Sequence, residues 1–296
     1  MGVANNTRTK FLLLSLTPLF IAMTFTFSPA SLAQEQFADF FQLVRHGTVE
    51  QVEEAIRNGA NVNDVCDVSG SILMTAAAGS SNPEIVNILV AHGANVHARD
   101  RQDRTPLMRA VRFNENLEVT TALIEHGADV NAGFEGWTTL MIAAGWSNNP
   151  EIINVLIESG ADVNAADNGW TALMAAAQWS NNPEIINALI EHGADVHAAY
   201  RNDWTALMTA ATHNSNPEII NALVKGGADV NARDLWGRTA YIFAGRNSNP
   251  EVAAALIEHG ACTETGGTAC PCIEPPLVTG LRRLFRAMQE LHEDAR

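Results

Sequence analysis

The chain is 296 residues long, 47% hydrophobic and 17% charged, with a formal net charge of −15. Such a composition belongs to a globular protein with enough chain for one or two domains and a sizeable core. Its acidity argues against nucleic acid as a partner, since phosphate binding needs a basic footprint.

The first residues read as a separate segment. Arg8 and Lys10 precede an apolar run from Phe11 to Phe27, and Ser31, Leu32 and Ala33 form a cleavage-like exit. This is the pattern of a secretory leader cleaved after Ala33, and it predicts an exported protein, periplasmic or secreted. An uncleaved membrane anchor is the rival reading, but the run is short for a span and is broken by Ser15, Thr17 and Pro18. No later stretch could span a bilayer, so no integral membrane span is expected once the leader has gone. Past Ala33 no Asn-x-Ser/Thr acceptor remains, which tilts the reading toward a bacterial envelope.

The remainder is self-similar. Phe37, Phe40, Phe41, Leu43 and Val44 make an opening helix with no hairpin before it. Then the element Gly-Ala-Asn/Asp-Val recurs with its glycine at Gly59, Gly93, Gly127, Gly160, Gly193 and Gly227, and Gly260-Ala261 begins a degraded copy. A constant period of 33 or 34 residues means one supersecondary unit stacked many times. The fifth unit shows the plan. Thr171 to Ala177 is a short helix of small residues that lets neighbours approach closely. Asn182, Pro183 and Glu184 supply an N-cap, a first-turn proline and a charge that suits the helix dipole. Ile185, Ile186, Leu189 and Ile190 line one face of a second helix, which Gly193 stops. A polar, turn-rich stretch then suits a projecting hairpin. One unit cannot fold alone; stacking buries the faces of both helices.

The pattern Gly-x-Thr-Ala-Leu-Met-x-Ala-Ala, then Glu-Ile-Ile-Asn-x-Leu-Ile, then Gly-Ala-Asp-Val-Asn-Ala resembles the ankyrin repeat, whose core reads Thr-Pro-Leu-His-x-Ala. Thr105-Pro106-Leu107-Met108 keeps the proline, while Met108, Met141, Met174 and Met208 stand where the family has histidine. Apolar packing is expected to replace the hydrogen bond that such a histidine makes. The resemblance runs from about Phe37 to Glu264. It implies an all-α ankyrin-repeat solenoid of about seven helix-turn-helix units with projecting β-hairpin loops and atypical ends. It further implies a protein partner recognised through the concave groove of hairpins and first helices. The chain thus divides into a leader at 1–33, the solenoid at 34–264, and a Cys/Pro linker with an amphipathic helix at 265–296. The apolar stripe Leu281, Leu284, Phe285 and Met288 of that last helix is expected to cover the exposed end of the final unit.

Catalytic patterns are missing. There is no Gly-x-Gly-x-x-Gly, no Walker loop and no His-Glu-x-x-His, so neither an enzyme nor a cofactor is expected. His92, His126, His192 and His259 share one phase, but units about 10 Å apart place single histidines poorly for a common metal. Stabilisation of the helix end suffices for them. Cys66 lies between the first two units, whereas Cys262, Cys270 and Cys272 follow the last. Any internal bridge is expected to join Cys262 to Cys270 or Cys272.

Two irregularities remain. Arg99, Arg101, Arg104, Arg109 and Arg112 cluster in the third unit, as a solvated face or a partner site. All six tryptophans fall in units four to seven. Trp137, Trp170 and Trp204 directly precede the Thr of their units, a phase shared by Arg104. Trp146 and Trp179 come eight residues after it, a phase shared by Phe113 and His213. These eight residues make up the expected concave binding face of a non-catalytic protein-binding scaffold, one that could inhibit its partner. The competing reading is a small-ligand or enzymatic site in the tryptophan groove or the tail, suited to a sugar or a quaternary amine.

Overall fold

The computed structural model describes residues 40–66 and 69–263, so the leader at 1–33, the tail at 265–296 and its capping helix lie outside the described residues. Helices pair along the chain. Helix α1 runs through residues 40–46 and is followed by α2 (Val49–Arg57); then come α3 (Ile72–Gly79) and α4 (Pro83–Ala91), and α5 (Pro106–Phe113) and α6 (Leu117–Glu125). The series continues with α7 (Thr139–Trp146) and α8 (Pro150–Glu158), α9 (Ala172–Trp179) and α10 (Pro183–Glu191), α11 (Ala206–His213) and α12 (Pro217–Lys225), and α13 (Ala240–Ala244) and α14 (Pro250–Glu258).

The same chemistry starts each helix. Ser71, Thr105, Thr138, Thr171 and Thr205 accept a hydrogen bond from the backbone N–H three residues on. Asn82, Asn116, Asn149, Asn182, Asn216 and Asn249 cap the second helices by accepting from the N–H of the Glu two residues on. The seventh unit deviates: α13 has five residues, and the buried Thr239 hydroxyl makes no cap bond. Met74, Met108, Met141, Met174 and Met208 are buried, so apolar packing does fill the positions where the family has histidine.

Four connections form two-stranded antiparallel hairpins: β1 (Val65–Cys66) with β2 (Gly70–Ser71), β3 (Gly133–Phe134) with β4 (Trp137–Thr138), β5 (Ala166–Asp167) with β6 (Trp170–Thr171), and β7 (Ala199–Tyr200) with β8 (Trp204–Thr205). The loops before units three and seven are closed by side chains instead. Asp100 accepts from the N–H of Gln102 and Arg104 and pairs with the Arg104 guanidinium at 2.7 Å. Asp234 repeats this with Trp236 and Arg238, also at 2.7 Å.

First helices, rich in Ala and almost wholly buried, sit closer to one another than the second helices do, so the stack curves toward the first-helix side. Several sets of side-chain bonds tie unit to unit. Each second-helix cap from Asn116 on donates its amide to a carbonyl of the unit before, as Asn182 does to Asn148 O at 2.9 Å. His126, His192 and His259 bond Asn87, Asn154 and Asn221 of the preceding second helix at 2.9–3.1 Å, so these histidines join units as well as sitting at helix ends. A third set is deeper. Asn114, Asn214 and Asn247 each donate twice to carbonyls ending the preceding first helix; Asn214 reaches Ala177 O at 3.1 Å and Ser180 O at 2.7 Å. Ser147 and Ser180 replace this asparagine in units four and five, and there Trp146 and Trp179 end the helix instead.

Cys66 is a thiol and Cys262 is disulfide-bonded, which rules out a bridge between the two; Cys270 and Cys272 lie outside the described residues. Among the described residues no helix is long and apolar enough to cross a membrane.

Candidate functional site

An eight-residue first helix brings its last side chain back beneath the hairpins. That geometry makes the two tryptophan phases meet. Trp137, cross-strand neighbour of Phe134, lies 5.3 Å from Trp146 and 5.4 Å from Trp179 between ring centroids. Trp146 and Trp179 stack at 5.1 Å with planes 18° apart. Trp170 continues the series edge-on, 5.9 Å from Trp179 and 5.2 Å from Tyr200. Such tilted and offset pairs each add about 0.5–1.5 kcal/mol beyond the area they bury. Trp146 and Trp179 nonetheless remain 37% exposed.

A second group follows. Trp204 sits 4.5 Å from Phe243, and its indole N–H donates to the Thr209 hydroxyl at 2.8 Å. The buried Trp170 N–H has no acceptor, because Ala175 stands where unit six has Thr209. Between the groups opens a cavity of about 380 Å³ lined by Trp170, Tyr200, Trp204, His213, Trp236 and Arg238.

Cations border the rings. Arg112 lies over Trp146 at 4.7 Å and over Phe113 at 5.2 Å, and Arg109 covers Phe113 at 5.3 Å. Arg201 faces Tyr200, and Arg238 faces Trp236 and Phe243. Burial, with the like charges of Arg104, Arg45 and Arg112, lowers the pKa of Arg109 against the opposing pull of Asp100.

The structure therefore brings Phe113, Trp137, Trp146, Trp170 and Trp179 into one continuous surface, with Trp204 and His213 across the cavity from Trp170. Arg104 differs from the rest: its guanidinium is held by Asp100 and only 18% of its side chain is exposed, so it braces the loop before unit three. Of the third-unit arginines, Arg99 pairs with Asp103 at 2.7 Å, and Arg109 and Arg112 turn toward the groove. Tyr200, Trp236, Arg238 and Phe243 join a surface that sequence reasoning did not extend to them. Tyr200 was accessible through its phase, 66 residues after Phe134 and cross-strand from Trp204. Among the described residues no His, Cys, Asp and Glu cluster could hold a metal. Arginines already on the ring faces leave a quaternary amine competing with fixed positive charge.

A family model described as ankyrin repeats (three copies) matches residues 40–134, 131–200 and 195–266. The chain belongs to the ankyrin-repeat family. Ankyrin repeats serve generally as protein-interaction scaffolds. The ankyrin array here is similar to two solved structures. The ankyrin repeat domain of human ASB11 is 24% identical, with a TM-score of 0.65, over 78% of this chain and 99% of that one. The ankyrin repeat domain of Bcl-3, described as a unique member of the IkappaB protein family, is 24% identical with a TM-score of 0.58 over 74% and 97%. At that identity the likeness establishes the ankyrin fold. No curated protein matches the chain.

Proposed function

We propose that this ankyrin array is a non-catalytic binding protein that acts after export, capturing a segment of a protein partner in its concave aromatic groove and blocking that segment's use. The observation that carries the reading is the exposed Trp146–Trp179 stack, flanked by Trp137 and Trp170 on the side toward which the units curve. Large exposed aromatic surface is costly on a soluble protein, and Trp and Arg are the commonest interface anchors. Export rests on the leader pattern at 1–33.

The test is a pull-down from envelope extract with wild type and with Trp146→Ala and Trp179→Ala, followed by titration of the captured protein. Each substitution is expected to weaken binding by about 2 kcal/mol or more. Trp146 and Trp179 also pack on each other, so melting is measured in parallel. Loss of stability with unchanged affinity would assign the rings to packing and remove the proposed surface.

A further inference from the structure

We infer that the groove selects an acidic polypeptide segment, with carboxylates over units two and three and an apolar body lying along the tryptophans of units four and five. This rests on the groove being the binding surface. What it adds is the chemistry and polarity of the occupant.

Arginines border the first-helix ends of units two and three, whereas tryptophans end the first helices of units four and five. Gly79 of unit two holds the phase of Trp146, and a side chain there would meet Arg45 at 3.0 Å, so the exposed Arg45 covers that seat. Phe113 of unit three has the guanidinium groups of both Arg109 and Arg112 near its ring, at 5.3 and 5.2 Å from the centroid. Arg112 then caps the Trp146–Trp179 stack.

Among the described residues no carboxylate forms an ion pair with Arg45, Arg109 or Arg112. Asp100, the carboxylate that opposes the charge of Arg109, is already held at 2.7 Å by Arg104. Arg109 donates to the Ser69 carbonyl at 3.3 Å and keeps a buried Nε with no acceptor; Arg112 faces only rings. Like-charged guanidinium groups this close are mutually unfavourable, and a carboxylate laid across them would relieve that repulsion while forming bidentate bonds.

Charge distribution selects polypeptide over nucleic acid. A strand of phosphates is charged along its whole length, whereas units four and five supply no arginine of their own and the cations stand at the edges of their ring surface, Arg112 over Trp146 and Arg201 beside Tyr200. A net charge of −15 also repels a uniform polyanion more than a segment with a few terminal acids. Three unit steps of about 10 Å separate Gly79 from Trp179, which an extended chain spans in about nine residues.

The experiment selects a phage library of random peptides of about twelve residues on the full chain, then measures fluorescein-labelled winners by anisotropy. Single-stranded oligo-dT of similar length is a parallel probe. Expected winners carry Asp or Glu at one end and apolar or aromatic residues at the other. Their affinity should fall about tenfold in Arg112→Gln, and should fall in Trp146→Ala. Arg45→Gln, on an exposed side chain, is the second charge variant should Arg112→Gln lower the melting temperature. Neutral or basic winners that depend on Trp146 but ignore Arg112 and Arg45 would overturn the acidic inference and leave the groove standing. Tighter binding of oligo-dT would overturn it in favour of nucleic acid. Failure to enrich any peptide sensitive to Trp146→Ala or Trp179→Ala would sink the groove reading itself.

Discussion

Asn214→Ala measures how firmly one unit holds the next. The buried Asn214 amide donates to Ala177 O and Ser180 O of unit five, and its Oδ1 accepts from the N–H of Asn216 at 2.9 Å. Truncation removes three hydrogen bonds worth about 1 kcal/mol each, and two carbonyls lose a partner in a site that water reaches poorly. The expected loss is about 3 kcal/mol, lodged at the joint between units five and six. Urea unfolding followed by far-ultraviolet circular dichroism reads it as a lower midpoint, and a shallower slope if the two sides of the array uncouple. Ser180→Ala is the control: its hydroxyl bonds only Asn182 N and Asn182 O within its own turn, so its cost should be about 1 kcal/mol. Equal losses in the two variants would refute the claim that the deep asparagines couple neighbouring units.

Gly169→Ala should destabilise by about 1–3 kcal/mol and Gly193→Ala by only about 1 kcal/mol in thermal melts. Both have positive φ, but a Cβ on Gly169 would lie 2.7 Å from Ala199 O of the next hairpin, while Gly193 faces open space. Burial alone would raise the pKa of Asp100, but hydrogen bonds from Arg104 and from the backbone of Arg104 and Gln102 outweigh it and hold the pKa below the ordinary carboxylate value. Its contribution is therefore complete above the unfolded pKa of about 4 and lost as pH falls through the lower folded value. Asp100→Asn should flatten the acid side of the stability–pH curve, and an unchanged curve would contradict the assignment.

Much of the scaffold is legible in the sequence. The Asn-Pro-Glu starts and the glycine stops follow from the period and from local helix chemistry, and each appears where expected. The joints between units were harder to read. Asn114 and Asn214 look like ordinary loop polarity, because their acceptors lie 34 to 37 residues back and only stacking brings them near. His192 shows the same limit: its position explains an effect on the helix end, but its bond to Asn154 crosses 38 residues. Arg104 looked like a groove residue by phase, whereas Asp100 four residues earlier turns it into a brace. In the groove, ring-to-ring distances depended on hairpin tilt, which a linear spacing does not contain.

The placement of the tryptophans has an optical consequence. All six lie between residues 137 and 236, so indole emission reports on units four to seven and, through Arg112 over Trp146, on the joint with unit three, but not on units one and two. Far-ultraviolet dichroism sees every helix equally. If the array melts as one body the two signals will trace a single curve, and if units one and two open first, ellipticity will fall while emission holds steady. The untagged protein thus carries a built-in spectroscopic boundary between its first two units and the aromatic part of its groove.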